Sequence, residues 1–366
     1  MKITRCLSLV FNILQLYSVL AINSHNLKTK QIATLGPSCY HYETLQKLHN
    51  AGVSIFRINM SHNKKSSTLK LLKKLQKLKN YSNNPPEIMI DLQGPKYRIG
   101  KMSKNNYLKP NQKVQVVSKE LTGNSNCISL PHPNLFKLLK KDNIILLNDG
   151  LLKLCVDKCD GFSNIEATVL QGGCLTSHKG VNIPYLNIPH VLTSKDKEDI
   201  ALVNTISSIH HIDIDYVALS FVNDETDIDK LKSTLHNNIK ILAKIERPQA
   251  VQNIDKIMEV SDGVMVARGD LGVEIGIEKV PFVQKLITSK KIDNKHVIVA
   301  TQMMESMITN SIPTRAEVSD VANAVLDGAT GLMLSAETSV GLYPVECVEI
   351  QRAIMSEAEQ FISTIE

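Results

Sequence analysis

The chain has 366 residues, 43% of them hydrophobic, and a formal net charge of +6. That length can bury at least one large core, while the mild charge and the absence of tryptophan give no footing for a base-stacking nucleic-acid surface. Seven cysteines stand without a paired framework; Cys155 and Cys159, the close pair, read as small core residues of a strand rather than zinc ligands. At the N-terminus Lys2 and Arg5 precede an apolar run over 6–22, with small residues at Val19 and Ala21. The pattern over 1–22 is that of a secretory leader and is short for a stable membrane span. Eight short apolar runs follow, at 30–35, 53–59, 87–92, 215–221, 240–245, 263–267, 296–301 and 331–335, alternating with helix-like stretches. Eight such units predict a (β/α)8 TIM barrel, an α/β fold built from 23–96 and 190–366. Between 62 and 80, Thr68, Leu71, Leu72, Leu75 and Leu78 repeat at helical spacing among seven lysines, which predicts an amphipathic helix with a wet basic face. Residues 97–189 differ in texture: short alternating segments at 113–117, 143–147 and 164–169, punctuated by Gly, Asn and Pro, predict a small all-β domain inserted after the third strand. A last helix is expected over 345–365.

Polar side chains gather where the predicted strands end. Arg57 and Asn59 share one face of the second strand, and Lys244 and Glu246 are paired in the same way on the fifth. Asp91, Arg268, Asp270, Thr301 and Ser335 end or follow four others. In a barrel those ends converge on one mouth, where active sites of this architecture lie. One Lys-x-Glu is ordinarily a structural ion pair; four strands delivering charge to one rim are hard to explain by packing. Glu246 and Asp270 are hard oxygen ligands suited to Mg²⁺, and Arg57 and Lys244 supply positive charge for a transferring phosphoryl group. The run Gly269-Asp270-Leu271-Gly272 reads as a tight turn whose N–H groups could hold a carboxylate. No Walker-type loop or Gly-x-Gly-x-x-Gly occurs.

Longer blocks carry a resemblance. Arg57-Ile-Asn59-Met60-Ser61-His62, Asp91-Leu92-Gln-Gly-Pro-Lys96, Ser177-His-Lys179-Gly180-Val-Asn182, Leu242-Ala-Lys244-Ile-Glu246, Met265 through Glu274, Ala300 through Met307, and Pro313 through Thr338 resemble, in order, the signatures of pyruvate kinases. The resemblance implies phosphoryl transfer from phosphoenolpyruvate to ADP, giving pyruvate and ATP. It implies Lys244, Thr301 and Arg57 as catalytic residues and Arg57, Lys244, Gly269, Asp270 and Thr301 as the phosphoenolpyruvate site. Glu246 and Asp270 are implied as ligands of Mg²⁺ or Mn²⁺, and Asn59, Met60, Ser61, His62, Arg98 and Lys179 as nucleotide-binding positions. Ser335 and Glu337 match a proton-relay region. Asn59, Ser61, Asp91 and Leu92 match the monovalent-cation position, but Lys96 resembles the potassium-independent subgroup, in which an ammonium group replaces the ion. Two departures stand out. Asn223 occupies a position where the family usually has arginine, which puts the geometry behind the site in question. The sequence also stops just after the eighth barrel helix, so the relatives' further C-terminal domain, its sugar-bisphosphate site and part of the tetramer contacts are expected to be missing, leaving barrel contacts for a homo-oligomer. Two other readings stand beside it: an idle barrel kept for a regulatory or scaffolding role, and a different barrel enzyme acting on phosphoenolpyruvate or pyruvate. The leader together with a glycosylation sequon at Asn59-Met60-Ser61 leads to an expectation of plastid delivery through the secretory route, with cytoplasmic residence the alternative.

Overall fold

The structure is a computed structural model and describes residues 27–63, 65–210, 212–236, 239–290 and 295–365. The leader read over 1–22 lies outside the described residues. Eight strands form a closed, all-parallel barrel: β1 Lys30–Thr34, β2 Ile55–Asn59, β3 Glu87–Asp91, β4 Tyr216–Leu219, β5 Lys240–Ile245, β6 Gly263–Ala267, β7 His296–Ala300 and β8 Gly331–Leu334. Each strand pairs with its neighbours in sequence, and β8 closes on β1 with Lys30 opposite Gly331. Both faces of these strands are covered, which is why their sequences read as near-continuous apolar runs.

Two separate layers of core follow from the period-2 alternation of a strand. Ile32, Ile55, Met89, Tyr216, Ala218, Leu242, Met265, Ile298, Ala300 and Met333 point inward and fill the barrel. The intervening residues, such as Phe56, Ile90, Val217 and Val266, face the helical ring. The predicted lysine-rich helix is Lys65–Tyr81, and the five residues expected to face the core are the ones it buries. The final helix runs Pro344–Ile365.

Between β3 and β4 the chain leaves the barrel and builds a six-stranded sheet. Its order is Val181–Asn182, Ile144–Leu147, Leu152–Cys159, Asn164–Gln171, Lys113–Val117 and Cys127–Ser129. Pairing is antiparallel except at the last step, where Val116 lies opposite Ile128 in parallel. Cys155 and Cys159 are free thiols on one of these strands. This inserted domain, the lid, has its own core, including Phe136, Leu154, Val156 and Ala167, which is distinct from both barrel layers. Among the described residues, no helix is long and apolar enough to cross a membrane.

Candidate active site

The alternation that fills the barrel also builds its mouth. Continuing each inward row by one step past the apolar plug gives Thr34 above Ile32, Arg57 above Ile55, Asp91 above Met89, Ser220 above Ala218 and Lys244 above Leu242. Polar side chains from five consecutive strands therefore meet at one level. Lys244 is the hub: its Nζ lies 2.7 Å from Ser220 Oγ, 3.2 Å from Asp91 Oδ1 and 2.9 Å from Glu246 Oε1. Arg57 closes the other side, with Nε 2.7 Å from Asp91 Oδ2 and Nη1 donating to Thr34 Oγ1 at 2.9 Å.

Burial sets the electrostatics of this cluster. Desolvation alone would pull the Lys244 ammonium down, but Asp91 and Glu246 outweigh it and hold its pKa above the usual lysine range. Burial would likewise raise Asp91, yet Lys244 and Arg57 keep its carboxyl below the ordinary value. Glu246 goes the other way: burial pushes it up, Lys244 pulls it back, and the negative charge of Asp270 adds to the rise. Glu246 Oε2 accepts a hydrogen bond from the Phe221 N–H at 2.6 Å. Its Oε1 is buried and meets the Lys244 ammonium at 2.9 Å. Two carboxylates, Glu246 and Asp270, close enough for the charge of one to raise the other, have the chemistry of a hard-cation site.

Asp270 reaches the same mouth from the first turn of the helix Arg268–Ile275. The run 269–272, read from sequence as a tight turn, is thus helical, and Gly269 lies against the neighbouring loop: a Cβ there would stand 3.1 Å from Thr301 Cγ2. Lys96 Nζ sits 3.0 Å from Asp270 Oδ1. Arg98 pairs with Gly180 in an antiparallel bridge, which sets Arg98 beside Lys179 at the root of the lid. Asn59 ends β2 and Ser61 and His62 follow it in the loop, whereas Met60 turns its side chain into the core, so side-chain contacts there fall to the other three. Leu92 is buried, with its carbonyl accepting from Ser220 Oγ at 2.7 Å.

Four placements go beyond the sequence reading. Arg268, expected at the rim, turns away from it: Nη2 donates to Thr301 O at 2.7 Å and Nη1 meets Asp320 Oδ1 at 2.7 Å. The guanidinium holds a turn in which Thr301 and Gln302 both adopt left-handed backbone, at φ 78° and 55°. Glu337 is buried and accepts from the Ser335 N–H at 2.6 Å and the Met304 N–H at 3.2 Å, which ties the loops after β7 and β8 together. Ser220 and Thr34 are direct partners of Lys244 and Arg57; the signal that finds them is a polar residue one step beyond an inward apolar position.

Comparison with known proteins decides the family. The family model described as "Pyruvate kinase, barrel domain" matches residues 26–348. The chain belongs to the pyruvate kinase family. A pyruvate kinase of Thermotoga maritima is 41% identical over 347 residues, spanning 92% of this chain and 73% of that protein. One from Thermococcus litoralis is 42% identical over 340 residues, 91% of this chain and 70% of its own length. A crystal structure of a pyruvate kinase from Cryptosporidium parvum superposes with a TM-score of 0.84 at 36% identity, covering 91% of this chain and 70% of that one. The pyruvate kinase reaction, phosphate transfer from phosphoenolpyruvate to ADP, is thereby the activity of this barrel, and nothing in these relatives favours an idle barrel.

Proposed function

We propose that this pyruvate kinase barrel runs its reaction on the Lys244 hub, with each mouth residue in a defined role. The observation that carries the proposal is the convergence of Lys244, Asp91, Glu246 and Ser220 within hydrogen-bonding reach at the C-terminal end of the barrel. Lys244 is fixed by two carboxylates and a hydroxyl, so its ammonium is aimed before substrate arrives and meets the charge that grows between phosphorus and the enolate oxygen. Arg57, braced by Asp91 and Thr34, binds the phosphoryl group. Glu246 and Asp270 would hold Mg²⁺ or Mn²⁺, which would supply positive charge to neutralise the transferring phosphoryl group. The N–H groups of Gly269 and Asp270, at a helix start, face the substrate carboxylate, and Thr301 stands at the face where the enolate is protonated. Asn59, Ser61, His62, Arg98 and Lys179 bind the nucleotide, and lid closure excludes water.

Lactate dehydrogenase-coupled turnover with phosphoenolpyruvate, ADP and Mg²⁺ tests this. Lys244→Met is expected to lose roughly 10²–10³ or more in kcat; wild-type turnover in that variant would end the assignment. Lys96, already paired with Asp270, supplies the positive charge at the monovalent-cation position, so turnover in sodium buffer should equal that in potassium. Lys96→Glu should create a potassium requirement, and a wild-type chain silent until potassium is added contradicts the assignment.

Two further parts of the proposal concern the chain as a whole. Exposed Phe282, at 74%, and Ile277, at 81%, offer an apolar barrel face for a homo-oligomer, which sizing by light scattering measures. Delivery through the secretory route, with a plastid as destination and the cytoplasm as alternative, rests on the leader over 1–22; imaging a C-terminal tag with and without residues 1–21 tests it.

A further inference from the structure

Both links between barrel and lid press on one short loop, 220–223, just past β4. On the outgoing side Gly94 takes a left-handed conformation, φ 67°, and packs so closely that a Cβ would stand 2.8 Å from Ser220 Cβ. On the return side His190 Nε2 is 3.1 Å from Ser220 O. Two residues earlier, the Ile188 carbonyl accepts two hydrogen bonds, from Asn223 Nδ2 at 2.9 Å and from Arg247 Nη1 at 3.0 Å. Arg247 Nη1 also lies 3.3 Å from Asn223 Oδ1, so the amide and the guanidinium form one unit gripping one carbonyl. Asn223, Arg247 and Ile188 are all at least nine-tenths buried.

The same loop faces the phosphoryl-transfer site from its other side. Ser220 Oγ accepts from Lys244, and the Phe221 N–H, held at φ 58°, donates to Glu246. Arg247 follows Glu246 directly in the chain and stacks over the Phe221 ring at 5.2 Å. The residues that grip the hinge and those that aim Lys244 and Glu246 are therefore neighbours in sequence and in space. Asn223 is supplied with a guanidinium from the turn that follows β5.

We propose that Asn223 and Arg247 are positioning residues: a clamp on the Ile188 carbonyl that couples the lid hinge to the alignment of Lys244 and Glu246. The proposal rests on the phosphoryl-transfer reading of the site. A loosened hinge lets the lid close without bringing Arg98 and Lys179 into register over the mouth, so turnover and nucleotide affinity change together, the signature of a hinge defect rather than of a lost contact.

The experiment compares the full chain with Asn223→Ala, Arg247→Met and Arg247→Lys. It uses amide hydrogen exchange over 186–190, coupled kinetics with phosphoenolpyruvate, ADP and Mg²⁺, and thermal melting. In Asn223→Ala and Arg247→Met, exchange at 186–190 should accelerate while β5 and β6 stay protected, kcat should fall, and the ADP KM should rise, together worth on the order of ten- to a hundredfold in kcat/KM. Arg247→Lys, which retains one charged donor, should recover part of both. A lowered melting temperature with kcat per folded molecule and the ADP KM unchanged would reduce the clamp to a structural contact and overturn the proposal, as would unchanged exchange at 186–190. A wild-type chain without turnover would count against the phosphoryl-transfer reading instead, and the exchange arm would still decide whether the clamp holds the hinge.

Discussion

Asp91 is 1% exposed and stands between two cations, with Lys244 Nζ 3.2 Å from one oxygen and the Arg57 guanidinium 2.7 Å from the other. Its folded pKa is lowered, so the unfolded chain binds its proton more readily and stability rises with pH across that interval. The contribution is complete above the unfolded carboxylate value near 4 and is lost as pH falls through the folded value. Asp91→Asn leaves Arg57 without its carboxylate and Lys244 with Glu246 alone, and should cost about 3–5 kcal/mol at neutral pH. Because the wild-type advantage is a carboxylate's, the gap should narrow below about pH 4. Urea midpoints of both proteins at pH 7 and pH 3 measure it; an equal gap at both would show that the charge is not what Asp91 contributes. This buried charge cluster was legible in the sequence as residue types at strand ends. Its wiring was not, because which carboxylate faces which cation depends on neighbouring strands that lie far apart in the chain.

The helix Arg315–Leu326 shows the same division at the scale of an element. Thr314 and Glu317 form a capping box, a local pattern that Thr-x-x-Glu announces in any sequence. What the sequence does not announce is the second use of Glu317: Oε1 accepts from the Ser306 N–H at 2.7 Å and Oε2 from Ser306 Oγ at 2.5 Å. The cap thereby anchors the turn Glu305–Ile308, a few residues beyond the strained Thr301. Burial would raise the Glu317 carboxyl, but the hydrogen bonds from Ser306 and Thr314 hold it below the ordinary value. Glu317→Ala keeps the N-cap bond from its own N–H to Thr314 Oγ1 but removes the reciprocal half of the box and the anchor to Ser306, and should cost about 1–2 kcal/mol. Thr314→Ala, which removes part of the box and leaves the Ser306 bonds in place, should cost less. Equal shifts in the urea midpoints of the two would mean that the anchor to Ser306 contributes nothing. The eight strands were legible for a related reason: a buried parallel strand is a contiguous apolar run, and the runs expected at 240–245 and 263–267 match β5 and β6 to the residue. Elsewhere the predicted strands overran by one to three residues, as at 215–221, where Ser220 and Phe221 leave the ladder to serve Lys244 and Glu246.

At the scale of the molecule, the chain folds around cores that scarcely touch. The lid cluster, with Leu154 and Ala167 fully buried, shares no residue with the barrel interior around Leu242 and Met265. What joins them is polar and local: Asn182 Nδ2 to Glu274 Oε1 at 2.8 Å, Lys96 to Asp270 at 3.0 Å, and the contacts at Ile188. Hydrogen bonds and partly exposed ion pairs of that kind contribute on the order of 1 kcal/mol each, far below what either apolar core supplies. The closed barrel, by contrast, has no edge from which to open piecemeal. Two cooperative units with weak coupling should unfold as two transitions rather than one. Leu154→Ala should remove about 2–5 kcal/mol from the lid transition and leave the barrel transition in place, and Leu242→Ala should do the reverse. Scanning calorimetry on the wild type and both variants separates the cases. A single transition shifted alike by both substitutions would mean that the polar seam transmits as much free energy as a shared core. In that case lid and barrel would have to be treated as one cooperative body, and opening of the mouth would cost a share of global stability instead of the few contacts along the seam.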